Sequence, residues 1–120
     1  MGYTRNKIEM IILGTMLNDM GDDNFMQSCR LSLRKELFAD KKNAFVFMLL
    51  DNMYQDGIKS TTPSDVFKYA NDKNIRYGNT ENFLNYLYGL ATDYYAFNNF
   101  RYYVKQLVEL YIKETKYGTV

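Results

Sequence analysis

The sequence predicts an all-α protein, a bundle of five to six helices that ends in one long C-terminal helix. Apolar residues recur at three- and four-residue spacing in successive stretches, the pattern of helices that each bury one face. The chain has 1 proline and 7 glycines in 120 residues, too few for a sandwich of short strands and tight turns. Its connections are short and polar, with neither strand–helix alternation nor an internal repeat.

The first helix covers 8–19. Ile8, Ile12, Met16 and Met20 fall at i, i+4 spacing, and Ile11, Leu13 and Leu17 widen the stripe into a strongly amphipathic helix. Asn6 reads as its N-cap, with Glu9 reaching back as a capping box. Gly14 interrupts this helix at a cost of about 1 kcal/mol relative to alanine. A helix that accepts that cost needs another backbone to come close at that point, so Gly14 is assigned a packing role.

A polar break over 20–24 follows, and Phe25, Met26, Cys29, Leu33 and Leu37 suggest one or two short helices ending near Phe38. Asp40 then caps a helix whose stripe is Ala44, Phe45, Met48, Leu49, Met53 and Tyr54, and Gly57 closes it. Thr62-Pro63-Ser64-Asp65 is the clearest local signal: Thr62 as N-cap, Pro63 at the first helical position and Asp65 accepting at the third. That helix carries Val66, Phe67, Tyr69 and Ala70. Asn79 or Thr80 caps the next one, with Phe83, Leu84, Leu87 and Leu90 inward. The last runs from about Ala96 to Lys116 on Phe97, Phe100, Val104, Leu107, Leu110 and Tyr111.

Length and composition fit one domain over 1–120 with a single core. The formal net charge of +1 is far from that of a strongly basic nucleic-acid binder. Cys29 is alone, so no intrachain disulfide forms and a reducing, cytoplasmic location is expected. No apolar run is long enough to cross a membrane, and the N-terminus lacks a secretory pattern.

Candidate chemistry is sparse. The chain has 0 histidines, which removes His-based triads, bases and metal ligands. Cys29 sits at core spacing, as an inert buried thiol does. Asp19, Asp22 and Asp23 form an acidic turn without the alternating ligands and distal glutamate of a calcium loop. No cofactor, metal or catalytic residue is expected. Arg30, Arg34, Lys35, Lys41 and Lys42 form a candidate basic patch, diluted by Glu36 and Asp40 and read first as solvated helix surface. Tyr94, Tyr95, Tyr102 and Tyr103 lie near Arg101 and Lys105. Helical phase puts Tyr103 beside Phe100 and Leu107 in the core and Tyr102 outside. Exposed tyrosine beside arginine suits a protein interface, so Tyr95, Arg101, Tyr102 and Lys105 are the candidate partner-binding residues.

The order of these elements resembles the N-terminal domain of bacterial replicative helicases of the DnaB type, over about residues 6–115. The resemblance rests on Ile12-Leu13-Gly14-Thr15-Met16-Leu17 with Glu9 before it, then Phe38 and the helix from Asn43-Ala44-Phe45 to Gln55-Asp56-Gly57. It continues through Thr62-Pro63-Ser64-Asp65-Val66, Phe83-Leu84-Asn85-Tyr86-Leu87 and Phe97-Asn98-Asn99-Phe100-Arg101-Tyr102-Tyr103-Val104. Lys41-Lys42 replaces a Pro-His pair usual in the family, and Tyr77-Gly78-Asn79 replaces its Gly-Gly turn. The given sequence ends in the first arm of the helical hairpin that, in the family, pairs neighbouring domains, which puts dimerisation of the family kind in doubt. It also has no Gly-x-x-x-x-Gly-Lys-Ser/Thr run, and the ATP-hydrolysing motor is absent from this chain. The resemblance implies a non-catalytic interaction domain of DNA replication, with a primase, a helicase loader or helicase subunits as partners. Homo-oligomerisation through the last helix is a further reading. A small helical nucleic-acid-binding or regulatory protein, using the basic and aromatic residues above, is the alternative, although direct nucleic-acid binding is expected to be weak or absent.

Overall fold

In the computed structural model, which describes residues 4–19 and 32–117, the first helix lies at the centre of the molecule rather than on its surface. Helix α1 (Arg5–Asp19) packs against α2 (Lys41–Gln55), α4 (Thr80–Asp93) and α5 (Phe100–Tyr117). Helix α3 (Pro63–Asp72) packs on α2 and α4. Two 3-10 turns, Lys35–Leu37 and Phe97–Asn99, precede α2 and α5. The described residues contain five α-helices and no strand, within 40 × 31 × 25 Å. None of these helices is long and apolar enough to cross a membrane.

The amphipathic reading of α1 is corrected: every residue from Ile11 to Leu17 is buried. Over that stretch the helix is enclosed by three others and has no solvent face, and its polar residues there must find protein partners. Thr15 Oγ1 donates to Ile11 O and accepts from Ala96 N, both at 2.8 Å. The N-terminal cap is also corrected. The helix starts at Arg5, and Thr4 Oγ1 accepts from Lys7 N at 3.3 Å. Asn6 lies inside the first turn, where its Oδ1 accepts from Asn43 Nδ2 at 3.1 Å.

Glu9 consequently caps no residue of its own helix. Its side chain is fully buried, and its carboxylate receives Ala39 N at 2.7 Å, Asn43 Nδ2 at 2.9 Å and Asp40 N at 3.4 Å. The carboxylate thus holds the turn that starts α2. Arg5 Nε stands 3.4 Å from it, while Arg5 Nη2 donates to Leu37 O at 2.7 Å and Nη1 pairs with Glu114 on α5. The Tyr86 hydroxyl donates to Asn43 Oδ1, which brings α4 into the same network. Burial raises the Glu9 pKa above its ordinary 4.5, opposed by the bonds from Asn43, Ala39 and Asp40 and by the Arg5 charge.

Local capping fixes the remaining boundaries. Asp40 Oδ1 accepts from Asn43 N at 3.0 Å, Thr62 Oγ1 from Asp65 N at 3.3 Å and Asn79 Oδ1 from Asn82 N at 3.1 Å. Gly57 at φ +81° and Asn74 at φ +57° end α2 and α3. Each is followed by a residue whose N–H turns back into the helix: Ile58 to Met53 O at 2.9 Å and Ile75 to Ala70 O at 2.8 Å. The buried face of α2 centres on Val46, Phe47 and Leu50, with the expected Ala44, Phe45, Met48 and Tyr54 on its half-buried flanks. Neighbours on several sides (α1, α3 and the Lys35–Leu37 turn) widen it. Phe38 stacks on Phe47 at 5.0 Å between ring centroids. The helices expected over 25–37 show only the Lys35–Leu37 turn, since Phe25, Met26 and Cys29 lie outside the described residues.

At Gly14, α1 touches backbone. A Cβ added there would sit 1.4 Å from Tyr94 O and 2.3 Å from Leu90 O, both at the carboxyl end of α4. Neither atom is the end of a flexible side chain, so one helix would have to move.

Two outcomes follow from this packing. Gly14→Ala gains about 1 kcal/mol of helix propensity, yet it should destabilise the protein by about 2 kcal/mol net, read from the urea midpoint. Glu9→Gln turns one acceptor oxygen into a donor facing N–H groups and should cost about 1–3 kcal/mol at neutral pH. Because the folded-state pKa of Glu9 is raised, the native state binds the extra proton. The wild type should therefore gain stability from this group as pH falls from neutral toward 4.5, whereas Glu9→Gln should lack that gain; urea titrations across the range measure it.

Candidate functional site

The connection from α4 to α5 is sewn onto α1. Gly14 admits the carbonyls of Leu90 and Tyr94, and Thr15 Oγ1 receives Ala96 N. Asn18 Nδ2 donates to Gly14 O and Ala91 O, both at 2.8 Å. Residues 94–96 are thereby fixed against α1. Beside them is an open surface cleft of about 550 Å³ whose lining includes Lys7, Ile11, Asp93, Tyr94, Tyr95, Ala96 and Tyr103.

The candidate partner-binding residues divide between this cleft and the outer side of α5. Tyr95 is 53% exposed on the cleft wall. Tyr102 is 57% exposed on α5, where its hydroxyl accepts from Gln106 Nε2 at 2.9 Å. Its ring meets Tyr103 edge-on at 5.3 Å, so the two tyrosines join cleft and helix surface. Tyr103, expected in the core, is half-buried and lines the cleft. Arg101 and Lys105 are exposed. Each is two residues from Tyr103, about 160° around the helix, and neither lines the cleft.

The candidate basic residues are shared among different elements. The Arg34 guanidinium lies 5.6 Å from the Tyr111 ring on α5, and Lys42 Nζ lies 4.4 Å from the Tyr86 ring on α4. Lys35 is exposed in its 3-10 turn and Lys41 at the start of α2. Arg30 lies outside the described residues, as do Cys29, Asp22 and Asp23 of the sequence reading. Among the described residues no three His, Cys, Asp or Glu side chains gather as a metal site.

Of the cleft residues, Lys7 and Asp93 have no local motif that marks them, whereas Tyr94 belongs to the tyrosine group named from the sequence. One signal was present: α4 carries an acid and no base in its last turn, where a cation would complement the helix dipole. The outer face of α5 has a further exposed apolar residue, Ile112 at 50%. Lys105, Glu109 and Ile112 run along the helix with Tyr102, all within about 40° of the direction opposite buried Leu107.

Comparison with known proteins agrees with this architecture. Neither the curated proteins nor the solved structures gave a match. The family model described as DnaB-like helicase N terminal domain matches residues 3–109, from before α1 into the second half of α5. That span includes the packing at Gly14 and both tyrosine-bearing surfaces, and the chain belongs to the DnaB-like helicase N-terminal domain family.

Proposed function

We propose that this chain is a non-catalytic docking domain of the DNA replication machinery, one that binds a primase, a helicase loader or a helicase subunit through helical surfaces. The observation that carries the reading is the pair of exposed large side chains on α5, Tyr102 and Ile112, on an otherwise solvated face. Exposed tyrosine is among the residues that supply most of the binding energy at protein interfaces. The domain acts by burying that face and needs neither cofactor nor metal.

A second reading, self-association, is favoured by the symmetry of the same stripe. Tyr102 and Ile112 lie equally far from Leu107, as do Lys105 and Glu109 on either side of it. An antiparallel copy centred at Leu107 sets each tyrosine on the other's isoleucine and each lysine opposite a glutamate, as an isologous two-fold contact requires.

Titration against purified primase, loader and helicase of the host tests the first reading. Tyr102→Ala should weaken the productive complex at least about tenfold with unchanged helicity, and salt should change the affinity little. Absence of affinity for all three proteins would overturn it. A steep loss of nucleic-acid binding with rising salt would favour the nucleic-acid-binding alternative. For self-association, sedimentation should show a dimer that Lys105→Glu or Glu109→Lys breaks and the double exchange restores; a monomer throughout would refute it.

A further inference from the structure

Helix α5 is held to the body in two different ways along its length. Phe100, Val104 and Leu107 are buried in the core. Beyond Leu107 no described side chain of α5 is buried: Val108, Leu110 and Tyr111 are half-buried, and Ile112 to Thr115 are exposed. Two arginine contacts hold this end instead. Arg5 Nη1 pairs with Glu114, and the Arg34 guanidinium lies 5.6 Å from the Tyr111 ring. Both arginines belong to the body, one at the start of α1 and the other just before the Lys35–Leu37 turn. Arg5 keeps its place without Glu114, because Leu37 O accepts from its Nη2 at 2.7 Å and the Glu9 carboxylate lies 3.4 Å from its Nε. Glu114 is 56% exposed, so water replaces its partner at little cost when the pair breaks.

We propose that the end of α5, from Leu110 to Glu114, is a strap that opens and recloses on a body that stays folded, with Arg5 and Arg34 as its catches. A helix end with few buried apolar contacts opens at lower free energy than the core. The catches are fixed in position, so the returning strap meets the same two arginines each time. Ile112 rides on the strap, whereas Tyr102 stands on the part of α5 anchored by Phe100, Val104 and Leu107. The outer stripe of α5 therefore has a fixed half and a movable half, and it is continuous only while the strap is closed.

Hydrogen exchange of the whole chain, resolved by residue with NMR, tests the strap without any partner, so the docking role stands or falls separately. Amides of 111–115 should exchange faster than those of 104–107 and respond less to urea, as a local opening does. Glu114→Ala decides between a latched strap and ordinary fraying. Alanine is the best helix former, and removing an anion from the carboxyl end of a helix relieves its repulsion by the dipole. A merely fraying end should then exchange more slowly. Loss of a catch should instead speed 111–115 about threefold and leave 104–107 unchanged. Arg34→Ala, on a different element, should act on the same amides in the same direction. Slower or unchanged exchange in Glu114→Ala, no effect of Arg34→Ala, or a urea response at 111–115 equal to that at 104–107 would each overturn the proposal.

Discussion

The fold depends on α1 lying with its backbone directly against the carboxyl end of α4. Only a residue without Cβ permits the Leu90 and Tyr94 carbonyls to come as close to α1 as they do at Gly14. The energies are unequal. Glycine in a helix costs about 1 kcal/mol, while each large apolar side chain that the close packing buries contributes about 1.5–3 kcal/mol. Ile12, Leu13, Met16, Leu17, Leu87 and Leu90 all lie within the core formed around this contact, so the local penalty is outweighed several times over.

Placing a helix at the centre creates a second requirement, that none of its polar atoms be stranded. Thr15 and Asn18 meet it by tying the end of α4 and the following connection to α1. Glu9 meets it at the other end by receiving the first amides of the turn into α2. The polar residues of α1 therefore act as specificity elements: they set where α2 begins and where α4 stops, while the apolar residues supply most of the cohesion. The tyrosine cleft lies beside the same connection, between Lys7 and Ile11 of α1 and Tyr103 of α5.

What could be read from the sequence was what is made locally. The caps at Asp40, Thr62 and Asn79 each close within three residues, and the stripes of α4 and α5 follow directly from helical period. Tyr102 could be placed outside because its phase opposes Leu107. Glu9 was misread because its partners are 30 or more residues away, and a capping box is the nearest local explanation for a glutamate at that position. The all-round burial of α1 was missed for a related reason: Glu9 and Thr15 look like a solvent face until their partners are known. The cleft draws on α1, α4, the connection and α5, so no single stretch of sequence describes it. Of the candidate basic residues, Arg34 and Lys42 lie against aromatic rings on α5 and α4, pairings that their spacing in the sequence does not reveal.

The central position of α1 also bears on how the chain is made. Translation delivers α1 before α4 and α5, which pack on it and are completed only after residues 93 and 117 have been added. Until then, among the described helices, the buried stretch from Ile11 to Leu17 has α2 alone to rest on. During synthesis the apolar surface of α1 therefore stays uncovered until α4 and α5 have been added and can pack on it.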